Sequence, residues 1–140
     1  MIFRAMAIVA MLVLSGPAFA AKTEGVLYDC DITQKKDRLY WIADKIAIVV
    51  KDNGEVIVLD EVIMRFHTRP MEAHVTRQND KKLAIRWTLT DLVNSSNQYT
   101  AAFEYQATLN KGSNKISVHA RPEGYPNRFS GSGSCTPRTE

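Results

Sequence analysis

The sequence predicts an all-β domain: a small antiparallel meander closed into a seven- or eight-stranded barrel, with a two-sheet β-sandwich as the alternative. Several segments alternate apolar and polar residues with the period of two that is typical of half-buried strands. Clusters of turn-forming residues separate these segments. The two cysteines, Cys30 and Cys135, lie near opposite ends of the chain, where a disulfide would join the N- and C-terminal strands.

The first twenty residues have the features of a secretory signal peptide. Arg4 precedes an apolar run at 5–14, and residues 15–20 supply helix breakers and then the small-x-small pattern that a signal peptidase needs. Because spanning a bilayer takes roughly 20 apolar residues, this run is too short for a retained membrane anchor. We expect cleavage after Ala20, a single exported domain at 21–140 in the periplasm or outside the cell, and no membrane span.

The first strand of the mature chain has four residues on its inward face: Val26, Tyr28, Cys30 and Ile32. After a polar turn at 34–37, residues 38–51 and 55–67 are expected to form the two arms of a hairpin. Residues 40–50 also fit a helix, but their β-branched residues and the Asn-Gly sequence that follows favour a strand.

Charge selects the register of this hairpin. A two-residue turn would set Asp52 opposite Glu55, and like charges directly across a ladder are destabilising. A three-residue loop at 52–54 instead sets Lys51 opposite Glu55. We therefore predict the three-residue loop, with Gly54 in the left-handed conformation.

In that register the hairpin is apolar on both sides. One side would enter the core, and the other would carry four residues on the outside of the barrel: Ala47, Val49, Ile57 and Leu59. An apolar patch left in water is typical of a partner surface. We therefore predict a self-association or partner-docking surface here; the alternative is that another part of the chain covers it.

Three later segments continue the alternation, at 82–91, 98–110 and 114–121, and turn formers lie between them. They predict a meander of antiparallel hairpins. The aromatic residues of the first two segments fall on the faces that we expect to point inward: Trp87, Tyr99, Phe103 and Tyr105.

The tail at 127–135 alternates between one face with Phe129, Gly131, Gly133 and Cys135 and another with polar residues. Inward glycines permit the sharp coiling that closes a small barrel. An oxidising compartment favours pairing of the two cysteines, which stabilises a chain loop of this order by roughly 4–5 kcal/mol in the chain-entropy model. We predict a disulfide that places the last strand beside the first; in a sandwich it would cross between the sheets.

The mature chain would carry seventeen basic and fifteen acidic residues, because Arg4 leaves with the signal. The resulting charge of +2 is small, and no run of cations exceeds two residues. Since phosphate contacts need several clustered cations, we expect no nucleic-acid partner.

Candidate metal ligands are few. His67 and His74 flank a turn at 68–71 and could face each other across a hairpin, with Glu72 as a third ligand. More often, such residues are solvated side chains at loop edges. We expect no metal and no cofactor.

Asp60 falls on an inward position of the second hairpin arm. We expect a β-bulge at 60–61 to turn the carboxylate outward; a buried Asp with a shifted pKa would instead be a candidate site. No nucleophile in a catalytic context and no acid–base pair stand out, so we expect no enzyme activity.

The connector at 121–128 is a second candidate interaction surface. It combines Tyr125 with Arg121 and Arg128, and both residue types are over-represented at binding hot spots. An ordered connector between two strands is the alternative explanation.

The opening Tyr28-x-Cys30, with Cys135 near the end, resembles the small periplasmic lysozyme-inhibitor barrels. The resemblance implies an exported barrel that inhibits a hydrolase. It covers only these three residues, and the Ser-Gly-x-x-Tyr loop that those inhibitors insert into their target is absent, so no site residue is carried over.

We predict a non-catalytic exported protein-interaction module whose partner is an envelope or secreted protein, or a second copy of the chain. In the alternative function, the barrel carries a small apolar ligand in its interior, lined by Trp87, Phe103 and Tyr105. A periplasmic hydrolase inhibitor is a second alternative.

Overall fold

The structure is a computed structural model that describes residues 25–36, 41–93, 96–97, 99–100 and 102–139. The predicted signal peptide lies outside the described residues. Within those ranges, no helix combines the length and hydropathy needed to cross a membrane.

Eight long strands form a closed antiparallel barrel, and two short strands form a separate hairpin. The elements in chain order are β1 (Gly25–Lys35), β2 (Lys45–Lys51), β3 (Val56–Asp60), α1 (Glu61–Phe66), β4 (Met71–Gln78), β5 (Lys82–Leu89), β6 (Leu92–Val93), β7 (Tyr99–Thr100), β8 (Phe103–Asn110), β9 (Lys115–Pro122) and β10 (Phe129–Thr139). Around the barrel the order is β1, β10, β9, β8, β5, β4, β3, β2, and β2 pairs again with β1. The predicted barrel is confirmed, and its closure excludes the sandwich.

The seam between β1 and β10 closes the barrel. Cys30 lies directly opposite Cys135 in this antiparallel pair, and the two form a disulfide. Both side chains are buried. The predicted link between the N- and C-terminal strands is therefore confirmed, and a disulfide is consistent with an oxidising, exported environment.

A β-bulge in β1 makes Gly133 necessary at the same seam. The pairing shifts register between Ile32, opposite Gly133, and Gln34, opposite Ser132. A Cβ atom at Gly133 would overlap the carbonyl oxygen of Asp31 and lie 2.9 Å from the Cα of Ile32. Glycine is thus the residue that lets the two backbones approach closely enough for the seam to form.

The hairpin of β2 and β3 has the predicted register. Val50 pairs with Val56 around the three-residue loop, and Gly54 has a φ of 88°. Lys51 Nζ lies 3.0 Å from Glu55 Oε2, so the charge argument that selected this register corresponds to an observed ion pair.

Two predicted strands are shorter in the structure because the chain turns inward to cover one end of the barrel. The first hairpin arm begins at Lys45 and not at residue 38, and Ile42 and Ala43 just before it are buried. Residues 37–40 lie outside the described ranges. The second arm was predicted to continue to residue 67, but it ends at Asp60, where α1 begins.

The predicted strand at 98–110 is also interrupted. Its first part belongs to the small β6–β7 hairpin, and β8 begins only at Phe103. Tyr99 was expected to point inward but is 82% exposed. Residues 98 and 101 lie outside the described ranges.

The barrel interior is a packed apolar core. Inward positions alternate along each long strand, as in β5, where Leu83, Ile85, Trp87 and Leu89 are buried. Helix α1 adds Val62 and Ile63 from one end. Burial of this many large apolar side chains is the main stabilising contribution to such a domain.

We expect Gly133→Ala to lower the free energy of unfolding by about 3 kcal/mol or more, because the added methyl group forces β1 and β10 apart at the bulge. Gly112→Ala is the matched control, since a Cβ there meets only the Asn110 side-chain oxygen at 3.4 Å. Urea unfolding of both oxidised variants measures the difference. Equal stability of the two variants would show that the seam tolerates a side chain.

Candidate functional site

The two ends of the barrel are built differently. Short turns at 52–55, 79–81 and 111–114 join strands at one end. The longer connections lie at the other end, because antiparallel strands return to it at every second connection. They join β1 to β2, β3 to β4 through α1, β5 to β8 through the β6–β7 hairpin, and β9 to β10. We call this second end the loop end. Binding residues commonly sit on such connections, which a rigid scaffold holds in place.

The exposed large apolar side chains of the described residues all belong to the loop end. Tyr99 is 82% exposed, Tyr125 58% and Met64 46%. Tyr125 was predicted as a surface residue from its connector. Tyr99 was missed because its alternation with Phe103 and Tyr105 indicated an inward position, and Met64 because its segment was taken as a strand.

Backbone contacts link the connections that carry the two tyrosines. The amide of Glu123 donates a hydrogen bond to the carbonyl of Ala102 at 2.8 Å, just beyond the β6–β7 hairpin. Gly124 has a φ of 79°, a conformation that favours glycine and turns the chain into Tyr125. The two connections are therefore held side by side on adjacent strands β8 and β9.

A groove of about 460 Å³ lies on the outer surface of β8, β9 and β10 where they reach the loop end. Six polar or charged residues line it: Glu104, Gln106, His119, Arg121, Arg128 and Ser130. We call this the basic groove. The structure thus brings Arg121 and Arg128, both predicted as site residues, to one cavity, whereas Tyr125 lines a neighbouring recess with Arg121.

Glu104 is the acid in the basic groove, and its charge is already compensated. Its Oε1 lies 3.3 Å from Arg86 Nε and its Oε2 3.2 Å from Arg121 Nη2. Burial alone would raise the pKa of the Glu104 carboxyl, but hydrogen bonds from Arg121 and Gln106 and the charges of Arg86 and Arg121 outweigh it and hold the pKa below its ordinary value. The carboxylate therefore stays ionised and positions the two arginines.

The predicted apolar patch lies on the opposite side of the barrel, across β1, β2 and β3. Ala47, Val49, Ile57 and Leu59 are half-buried and face outward as the register required. Leu27 extends the patch onto β1, where it pairs with Val49. The structure therefore assembles these residues into one strip, but their proposed docking role stays a prediction.

The three predicted ligand-lining residues do point into the barrel, where their rings pack together. Trp87 and Tyr105 have ring centroids 5.3 Å apart, and Phe103 stacks on Trp41 at 4.2 Å. The hydroxyl of Tyr105 donates to the carbonyl of Trp41 at 2.7 Å. Trp41 was not predicted, because it lies on the segment that folds inward ahead of β2.

Trp87 carries an unusual feature within this packed interior. Its side chain is 3% exposed, and among the described residues its indole Nε1 has no hydrogen-bond partner. A buried donor without an acceptor costs about 1–3 kcal/mol. This atom is therefore a point where an interior molecule with an acceptor oxygen would be stabilised.

Asp60 is buried, so the predicted outward turn at a bulge is wrong. It is the N-cap of α1, and its Oδ1 accepts a hydrogen bond from the amide of Ile63 at 2.7 Å. Burial raises the pKa of the Asp60 carboxyl to about 6, although the amides of Ile63 and Val62 lower it in part. The role of this carboxylate is to start the helix that covers the loop end of the core.

The candidate metal ligands do not come together. His67 is the C-cap of α1, and His74 pairs with Arg86 across β4 and β5; the two do not face each other across a hairpin. In the part of the chain that the structure describes, no group of three or more His, Cys, Asp or Glu side chains is arranged to hold a metal ion.

Comparison of the chain with protein-family models, curated proteins and solved structures finds no match to any of them. The site is therefore interpreted from its own geometry.

We expect Asp60→Asn to flatten the pH dependence of stability between about pH 4 and 6. The folded-state pKa of Asp60, about 6, lies above its ordinary value of 3.8, so the native state binds more protons than the unfolded state in this window and stability falls as pH rises through it. The loss, on the order of 2–3 kcal/mol at neutral pH, should be absent in the variant, because asparagine has no carboxyl group that ionises. Asparagine still caps the helix, so α1 should be retained.

Urea unfolding at several pH values, compared between wild type and variant, measures this difference. Asp52→Asn, at an exposed turn carboxyl, is the control and should retain the wild-type profile. An Asp60→Asn profile parallel to the wild-type one from pH 4 to 7 would contradict the prediction.

Proposed function

We propose that this protein is a non-catalytic, exported β-barrel that binds another exported or envelope protein through its loop end. The observation that carries the proposal is the gathering of the exposed large apolar side chains there: Met64, Tyr99 and Tyr125 among the described residues. Aromatic side chains such as tyrosine bury much area at low entropic cost and are enriched at the centres of interfaces. Arg121 and Arg128 supply the polar rim beside them.

The scaffold suits recognition by loops. Closure removes every free strand edge of the barrel, and the disulfide ties the seam. The aromatic core of Trp41, Phe103 and Tyr105 supports the loop end from inside. Loops held in this way lose less conformational entropy on binding, which favours affinity.

A small-ligand carrier is the second candidate function. The buried, unpartnered Nε1 of Trp87 favours it, and the ligand would then be an apolar molecule with one acceptor oxygen near this atom. Against it stand the closely packed rings of Trp87, Phe103 and Tyr105, which occupy the space that such a ligand would need.

The test is capture of partners from the exported and envelope proteins of the source cells, with the oxidised mature chain as bait. We expect a stoichiometric partner, and we expect the double variant Tyr99→Ala, Tyr125→Ala to weaken its binding by about 30-fold or more, since interfacial tyrosines contribute on the order of 2 kcal/mol. Both side chains are exposed, so the variant should keep wild-type stability.

Val49→Lys is the matched control on the apolar strip at the opposite side. If Val49→Lys abolishes partner binding while the tyrosine variant retains it, the partner binds the apolar strip and the proposal is overturned. Native mass spectrometry of protein purified from its own compartment separates the second candidate: a retained small molecule supports the carrier function. Hydrolases of that compartment belong in the capture panel, because the resemblance to lysozyme-inhibitor barrels implies that class of partner.

A further inference from the structure

We infer that the basic groove binds carboxylates of an acidic, extended segment of the partner protein. The inference rests on the proposed function and adds the chemistry of the partner. Three observations support it. One is a cation in the groove without an ion-pair partner, the second is an adjoining cavity, and the third is the row of short side chains at the bottom of both cavities.

Arg128 provides the uncompensated charge. Arg128 directly precedes Phe129 in the chain, and Arg121 directly follows Ala120, the residue that pairs with Phe129 across β9 and β10. Arg121 is bound to Glu104, and both oxygens of that carboxylate are engaged by Arg86 and Arg121. Among the described residues Arg128 has no ion-pair partner, so its guanidinium is available to an incoming anion.

A second cavity, of about 480 Å³, continues the groove along β10 toward β1. The two share His119 and Ser130, and the second is lined further by Lys35 and Lys36. Lys35 is bound to Asp44, whereas Lys36, within the described ranges, has no acidic partner. Arg128 and Lys36, two cations without an ion pair among the described residues, therefore line two adjoining cavities, which together we call the trough. Lys36 lies beside Ser130, because its amide donates a hydrogen bond to the Ser130 carbonyl at 3.2 Å.

The trough is deepest over β10, because the outward side chains of this strand are short. Ser130 and Ser132 line it, and the longer Gln106, His119 and Arg121 flank it on β8 and β9. Serine hydroxyls and the glutamine amide are hydrogen-bond donors suited to carboxylate oxygens. An extended segment with acidic residues fits these walls, since the cations bind its side chains and the hydroxyls lie beneath it.

Several cations outside the trough are paired within the protein. Lys45 binds Asp31 at 3.2 Å, Lys51 binds Glu55 at 3.0 Å, and Arg138 binds Asp29 at 3.5 Å. These cations are less available to an acidic segment than Arg128 and Lys36. Exposed cations elsewhere, such as Arg77 on β4, have no ion pair among the described residues either, but they do not line the trough. Complementary charge of this kind increases association rate and selects among partners.

The test is a titration of the ¹⁵N-labelled, oxidised mature chain with a hexaglutamate peptide, followed by amide chemical shifts. We expect the shifts to concentrate at His119, Arg128 and Ser130 and the affinity to fall between about 20 and 200 mM salt. Arg128→Glu should weaken binding by at least about 10-fold, and Arg128→Lys should restore most of it. Arg77→Glu, at an exposed position on β4, is the control with the same change in charge and should bind like wild type.

Equal weakening by Arg77→Glu and Arg128→Glu would mean that only net charge matters and would overturn the inference. Inorganic phosphate that shifts the same amides while hexaglutamate does not would overturn the choice of carboxylate. If no shifts occur in the trough but tyrosine-dependent partner capture persists, the inference fails and the proposed function stands. Loss of capture in the tyrosine variant together with Arg128→Glu, and not with Arg77→Glu, supports both.

Discussion

Closure of the barrel at the β1–β10 seam is the constraint on which the rest of the structure depends. The seam combines a covalent bond between Cys30 and Cys135 with a close backbone approach, two residues before the second cysteine, that only glycine allows at Gly133. Once β10 is fixed beside β1, its outward serines form the floor of the trough and its first residues position Arg128. The proposed binding surface is therefore a direct consequence of how the last strand is anchored.

The loop end combines burial and exposure within the same connections. Ile42 from one connection and Ile63 from α1 enter the core, while Met64, the next residue of the helix, is exposed. The buried carboxylate of Asp60 holds this helix in place, because it caps the N-terminus of α1 where β3 ends. Apolar burial stabilises the cover of the barrel, and the side chains on its outer side remain free to contact a partner.

The strand pattern was predictable where one face of a strand enters the core and the other meets water. Lys51 and Glu55 identified the hairpin register, and the parity of Cys30 and Cys135 identified the seam. The prediction failed where apolar residues pack over the end of the barrel and do not belong to a hydrogen-bonded strand. At Asp60 a strand-like pattern continues into a helix, and near Trp41 an apolar segment folds over the barrel end; local propensity does not distinguish these from strands.

Alternation and turn formers are local properties of the chain, so an all-β fold, the pairing of the cysteines and the types of residue available for binding could be predicted without the structure. The tertiary structure alone decided which of those residues meet. Arg121 and Arg128 were visible as neighbours on one connector, but Glu104, His119 and Lys36 join them only because β8, β9, β10 and β1 lie side by side. A groove is a property of adjacent strands, and strand adjacency depends on contacts between residues far apart in the chain.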